Sequence, residues 1–570
     1  MEAVFGDTRV PEPPAGQFRL LADHFFERFF YNDLISDPDH PQLVGAYIMA
    51  ILAFPGLRNS LGLIPKYYVN LIGASEDVRQ VAVLGDRWTL VTFSMIVLGF
   101  VVTFQWDRLF PDRRDNLILG VLPVPQKTVF LSQLWALAKF TALFFAWINA
   151  FPTLFFPIAA VRYDASAISG LWFAITHVIG MVAAGGFVVL FFVALQGALM
   201  LALGDRWFRR VSPWAQLTCL CALILALILM PLLSSLVKAQ LSVGSATGEF
   251  GWLVWVPAAW FVGLAEWLHS GRAALGDLVL AGAVGTAATA LVAGLCYWVA
   301  YQRYVRRSLE SPANEATRGS WLGGLGRTWL EPREQVTTAF TLQTLARSGK
   351  HRLYFSAFVA LGISLAVSQW LRFAVRPDAE PPLSIPYLLV FCALVGMRAT
   401  FVAPADREAN WVFRMLADRP AAFYQDSVRR AMVAVCLAPL SFLSAVVVAA
   451  AHGWLGGLGH LVVFSLIAWI TLELLLFDFV KIPFTCTFQP PRAHIIFVWS
   501  GFALTMMWYS AAMPVLERWA LGGIPSFVVF SLLAAGALIG LISYRRSRAQ
   551  TPPIFEEEED VLVHRLKLEP

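Results

Sequence analysis

The chain has 570 residues, of which 58% are hydrophobic and 14% charged, with a formal net charge of +5 and a mean hydropathy of +0.64. Soluble domains carry about 25% charged residues, so this chain cannot cover a water-facing surface along its whole length. Its basic residues lie in short loops, and nothing in that pattern points to nucleic acid.

Apolar runs of about 20 residues recur, each long enough to cross a hydrocarbon core about 30 Å thick. The runs are continuous and lack the alternation of a β-barrel. They predict an all-α, polytopic integral membrane protein. The polar, proline-dotted start has no early apolar core and does not read as a signal peptide.

Residues 17–35 place Phe18, Leu21, Phe25, Phe26, Phe29 and Phe30 at helical spacing, with Asp23, Glu27 and Arg28 on the other side. This predicts a helix lying in the membrane interface. Twelve spans follow, at 43–57, 88–106, 130–161, 168–202, 214–237, 276–301, 353–372, 385–403, 431–451, 459–477, 493–513 and 524–543. The third and fourth are long, and Gly185-Gly186 offers a bend. The segment 238–275 carries Trp252, Trp255, Trp260 and Trp267 around Pro257, which predicts a re-entrant or surface-lying stretch.

A Gly-, Pro- and charge-rich stretch separates two six-span halves. The resulting division is 1–310, a linker at 311–334, a second half at 335–548 and an acidic tail at 549–570. Residues 335–352 are amphipathic and precede span seven as 17–35 precede span one. Lys and Arg crowd the loops 107–129, 203–213, 302–352 and 404–430. The loops 162–167, 373–384, 452–458 and 514–523 hold only Arg162, Arg376 and Arg518. That alternation predicts a cytoplasmic N-terminus, twelve crossings of the cytoplasmic membrane and a cytoplasmic C-terminus.

The stretch Phe104–Lys127 is a charged elbow, with Asp107, Arg108, Asp112, Arg113, Arg114 and Asp115 followed by Leu117, Ile118, Leu119, Leu122 and Pro123. At an offset of 294 residues, Asp112, Arg113 and Asn116 fall on Asp406, Arg407 and Asn410, and Leu122 falls on Leu416. Matched elbows in matched apolar settings predict a duplicated membrane domain. Ala417 stands where Pro123 would be.

No catalytic constellation is legible. GxxxxGK[ST], HExxH and GxSxG are all missing, so this chain cannot hydrolyse ATP through a P-loop of its own. No cofactor, metal or catalytic residue is assigned, and the six cysteines read as small core residues. Five ionisable residues fall in or beside spans. Lys139 is placed to snorkel to an interface. His177 is expected to hydrogen-bond a neighbouring helix. Glu473 lies in span ten, while Asp478 and Lys481 are spaced to pair at the cytoplasmic boundary. His452 and His460 share the external end.

The helices before spans one and seven, and the elbows WDRLFPDRRDNLILGVLPVPQK and PADREANWVFRMLADRP, resemble the membrane subunits of type-2 ABC exporters, which have six helices per half. The resemblance implies separate ABC ATPase subunits as partners, two copies, docking on the elbows. It assigns coupling to Asp107, Asp112, Arg113, Asp115, Leu122 and Pro123, and to Asp406, Arg407, Asn410 and Leu416. Membrane lipid is the other implied partner. A secondary transporter with parallel repeats and a membrane enzyme acting on lipid-linked substrates remain alternatives.

Overall fold

Inside lipid an apolar chain satisfies its backbone hydrogen bonds most readily as helix. Every regular element of the computed structural model is helical among the described residues, which are 15–30, 41–106, 119, 122, 124–161, 166–247, 249–310, 332–374, 383–401, 415, 419–485 and 495–553. Eight described helices are long and apolar enough to cross a membrane: Glu76–Phe104, Lys127–Ala160, Ala167–Leu203, Arg210–Leu241, Ala273–Cys296, Gly349–Ala374, Ala421–Leu475 and Ile524–Arg548. The chain is an integral membrane protein. The run Ala421–Leu475 holds two of the predicted spans, divided where Gly453 adopts φ 83°. Three further predicted spans overlap the helices Pro41–Pro65, Ser384–Thr400 and Ile495–Leu521.

The chain divides into two compact units, Met1–Glu315 and Ala316–Pro570. The first contains α1 (Ala15–Phe30), α2 (Pro41–Pro65), α3 (Glu76–Phe104), α4 (Gln126–Ala160), α5 (Ala167–Thr247), α6 (Pro257–Ser270) and α7 (Gly276–Glu310), with a π-helical turn at Lys66–Asn70. Helix α3 is central and packs on α4, α5 and α6. One half buries Leu98, Val101 and Val102 with Val188, Phe192 and Met230. The other buries Leu84, Trp88 and Val91 with Met181, Val237 and Phe261.

The loop predicted at 203–213 is helical, and α5 runs through it. Phe192 and Leu223 nevertheless both lie against Gly99 of α3, each within 3.4 Å of where its Cβ would stand. In a straight helix those two residues would be about 46 Å apart. Helix α5 therefore doubles back around 203–213 as two arms, both flanking α3. Gly185-Gly186 is no bend: it stays helical, and the missing Gly185 side chain leaves room for Phe145.

The Trp-rich segment is packed more deeply than a surface-lying stretch. Helix α6 buries Ala258, Ala259, Phe261, Val262 and Ala265, because its small residues allow close approach to α3, α5 and α7. Trp255 alone stands almost fully out, at 84% exposure, while the Trp260 indole donates to the Val254 carbonyl at 2.6 Å.

The second unit contains α8 (Pro332–Arg347), α9 (Gly349–Ala374), α10 (Ser384–Thr400), α11 (Ala421–Met432), α12 (Ala438–Leu475), α13 (Ile495–Leu521) and α14 (Ile524–Arg548). Helix α10 is its centre, packed on α9, α12 and α13. Val390, Leu394 and Met397 are buried there with Val463, Phe464 and Ile467. Two predicted loops are largely helical. Within 452–458 only Gly453 breaks the helix, and α13 continues through 514–521. The tail is not free from its first residue. Thr551 and Ala549 carbonyls accept from the N–H groups of Ala421 and Ala422, each at 2.9 Å, and so cap α11, whose first N–H groups have no partner within the helix.

Candidate functional site

The elbow residues Asp107, Asp112, Arg113, Asp115, Pro123, Asp406, Arg407, Asn410 and Leu416 lie outside the described residues. Leu122 is described and exposed. Its N–H donates to the Leu119 carbonyl at 3.1 Å, just before α4 starts after Pro125. The helices on either side of each elbow are well defined. Before the first elbow, the Trp106 indole donates to Ser212 Oγ at 2.8 Å. The Gln196 amide donates to the Trp106 carbonyl at 2.9 Å, and Gln216 donates to that of Thr103 at 3.0 Å. The end of α3 is thus tied to both arms of α5.

After each elbow the same arrangement recurs. Helix α1 packs along α4, the helix that follows the first elbow. Lys139 pairs with Asp23 at 3.2 Å and lies 4.2 Å from the Phe26 ring centroid. Lys139 therefore does more than snorkel: it fastens the helix that precedes span one. In the second unit α8 packs along α11, the helix that follows the second elbow. Arg430 pairs with Glu334 at 2.9 Å, and the Thr337 and Ser427 hydroxyls meet at 2.6 Å.

Three charged networks sit among the apolar helices. In the first, Arg87 and Glu266 pair at 2.8 Å with side-chain exposures of 0% and 5%, and the guanidinium lies 4.6 Å from the Phe173 ring centroid. His177 is fully buried nearby, against Phe156 at 4.9 Å between ring centroids. Neither ring nitrogen has a hydrogen-bond partner among the described residues, which corrects the expected interhelical bond. The Phe156 ring against which His177 packs supplies no lone-pair acceptor. Burial pushes the His269 imidazole below the ordinary histidine range; Glu266 opposes that shift and Arg87 adds to it. Next to Arg87, Asp86 accepts from Lys66 at 2.6 Å and from the Tyr67 hydroxyl at 2.8 Å. Burial first, then the Asp86 charge, push Tyr67 above the usual phenol range and keep it a donor.

In the second network, Glu473 accepts from Arg545 Nε at 2.8 Å. Arg545 also donates to Gln425 at 2.9 Å and to Asp426 at 3.0 Å. The Asp478–Lys481 helical pair is not formed as predicted. Helix α12 ends at Leu475, so those residues lie in turns, and Asp478 faces Arg548 at 3.7 Å. Lys481 is half-buried beside it in sequence.

The third network joins His460, Glu517 and Tyr387. The His460 ring nitrogen is hydrogen-bonded to Glu517, and the Tyr387 hydroxyl donates to the other carboxylate oxygen at 2.9 Å, all three side chains being buried. His452 is elsewhere, on the rim of an apolar groove of about 210 Å³.

Sequence reading missed Asp86, Arg87, Glu266, Glu517 and Arg545. Each had been assigned to a loop, a surface segment or a helix end. The available signal was a charge within one or two turns of an apolar run, where burial demands a partner. No protein-family model, curated protein or solved structure matches this chain.

Proposed function

We propose that this chain is the membrane permease of an exporter driven by ABC ATPase subunits on separate chains. The observation that carries the reading is the recurring clamp beside the elbows. In each unit the helix preceding the first span is fastened to the helix following the elbow, by Asp23–Lys139 in one and Glu334–Arg430 in the other. Such a clamp links the helix before the first span to the helix after the elbow, a route by which a push from a partner would reach the spans. Each unit is also centred on the helix that leads into its elbow, α3 or α10.

On this reading the units are tandem repeats of six spans, twelve in all, with both termini in the cytoplasm and the chain in the cytoplasmic membrane. Asp107, Asp112, Arg113, Asp115, Leu122 and Pro123, with Asp406, Arg407, Asn410 and Leu416, meet two copies of the ATPase. The chain itself is not the enzyme.

Purification of the tagged chain from its native membrane tests this. A P-loop ATPase is expected to co-purify, and Asp112→Lys with Asp115→Lys to release it and abolish substrate-stimulated turnover at unchanged expression. Asp406→Lys is expected to act less, because Ala417 replaces the proline. Retention of the ATPase by the first variant overturns the coupling assignment.

A second reading, a secondary transporter, is favoured by the buried Glu473–Arg545 and His460–Glu517 pairs, since ion-coupled sites use ionisable groups within the bundle. Transport that follows an ion gradient without ATP selects it.

A further inference from the structure

We propose that the cleft between α2 and α3 binds the phosphate of an anionic lipid headgroup. It is open, has a volume of about 420 Å³, and is lined on its polar side by Arg58, Asn59, Asp86 and Thr89. Its depth suits a headgroup. From Asp86 to Phe104, the end of α3, the helix rises about 27 Å, close to the ~30 Å of a hydrocarbon core. Asp86 therefore stands where hydrocarbon gives way to headgroups.

The charge pattern selects an anion. Asp86 is already engaged by Lys66 and Tyr67, with Lys238 at 3.8 Å. Its oxygens have little capacity left for a bound cation. Lys66 and Lys238 each keep N–H donors to spare, and both side chains are about a third exposed, at 30% and 37%. With Arg58 they set three cations against one carboxylate. The Arg58 guanidinium is a planar fork suited to two phosphate oxygens, and it is exposed.

The surroundings select an amphiphile. Phe54, Arg58 and Leu61 follow one another at spacings of four and three along α2, so they share a face, and Phe54 and Leu61 are both exposed. A phosphate on Arg58 leaves an acyl chain free to run along them. Gly62, on the cleft wall, has nothing within 4 Å of its missing side chain, which keeps the entrance open.

Lys238 comes up to Asp86, on the cleft wall, because residue 85 is glycine. A Cβ there would come within 2.4 to 2.9 Å of three carbons of the Lys238 stem. Alanine at position 85 displaces the lysine while leaving every charge in place. The site stands whether or not the chain is a transporter.

The test uses the full chain in detergent and measures binding of dihexanoyl phosphatidic acid, with dihexanoyl phosphatidylcholine and inorganic phosphate as comparisons. Saturable binding of phosphatidic acid is expected, weakened about tenfold by Arg58→Gln and by Lys238→Met, the loss of one charge-assisted bond. Gly85→Ala is expected to weaken it in the same direction. Arg58 and Lys238 are exposed enough for their variants to fold, and Gly85→Ala changes no charge. Equal affinity for the two lipids, or unchanged binding in all three variants, overturns the proposal. Inorganic phosphate competing at the same concentration as phosphatidic acid overturns the lipid assignment in favour of a soluble anion.

Discussion

Glu473 of α12 and Arg545 of α14 meet at 2.8 Å with side-chain exposures of 0% and 1%. The pair also holds α11, because the other guanidinium nitrogens reach Gln425 and Asp426. Three helices thus share one buried charge. Breaking a buried pair costs about 3–5 kcal/mol when the remaining charge is uncompensated; here Asp426 stays beside Arg545 at 3.0 Å and Arg429 beside Glu473 at 3.7 Å, which lowers that cost. Glu473→Leu and Arg545→Met are each expected to lower the unfolding midpoint of the purified chain sharply. The double variant Glu473→Leu with Arg545→Met is expected to recover much of the loss. Full additivity of the two single effects would show that the groups are energetically independent.

Tyr387 gives the buried Glu517 one of its two hydrogen bonds. Tyr387→Phe is expected to destabilise by about 1–3 kcal/mol, the cost of a buried acceptor left short of a donor. His452→Ala, on the groove rim, is expected to stay within about 0.5 kcal/mol of the parent, as surface changes usually do. Thermal melts in one detergent compare them directly.

Truncation after Arg548 removes the Ala549 and Thr551 carbonyls that cap α11. Amide hydrogen exchange at Ala421 and Ala422 is expected to accelerate by an order of magnitude or more, as freed helix-end N–H groups do. Exchange in the middle of α10 is expected to change far less.

The orientation proposed for the spans places Trp255 and the linker on opposite sides. In a cysteine-free background, Trp255→Cys is expected to react with an impermeant thiol reagent in intact cells and Arg318→Cys only after lysis. The reverse pattern would invert the topology.

Much of the helical framework was legible, because long apolar runs leave the chain few alternatives in lipid. The ends of those runs were not. Residues 203–213 read as a loop from their charges, yet they keep helical backbone where α5 doubles back, held by Ser212 and Gln216 on the end of α3. Asp86 and Arg87 sat just outside a span assigned from residue 88, and hydropathy cannot show that Glu266, 179 positions away, arrives to neutralise Arg87. His177 shows the converse: a polar residue inside a span invites a hydrogen bond on paper, whereas packing gave it Phe156. Spacing along one helix constrains neighbours on that helix and says little about which distant helix comes to meet it.

The capping of α11 by residues 549 and 551 has a consequence for biogenesis. Helix α11 is translated and inserted about 130 residues before its cap exists, and Arg545, which holds Gln425 and Asp426, comes equally late. The second unit cannot reach its final packing until residues 545–551 have left the ribosome. Until then it persists as a partly assembled bundle, with Glu473 facing Arg429 at 3.7 Å but still without Arg545, and this interval is when quality-control proteases have their best access to the chain.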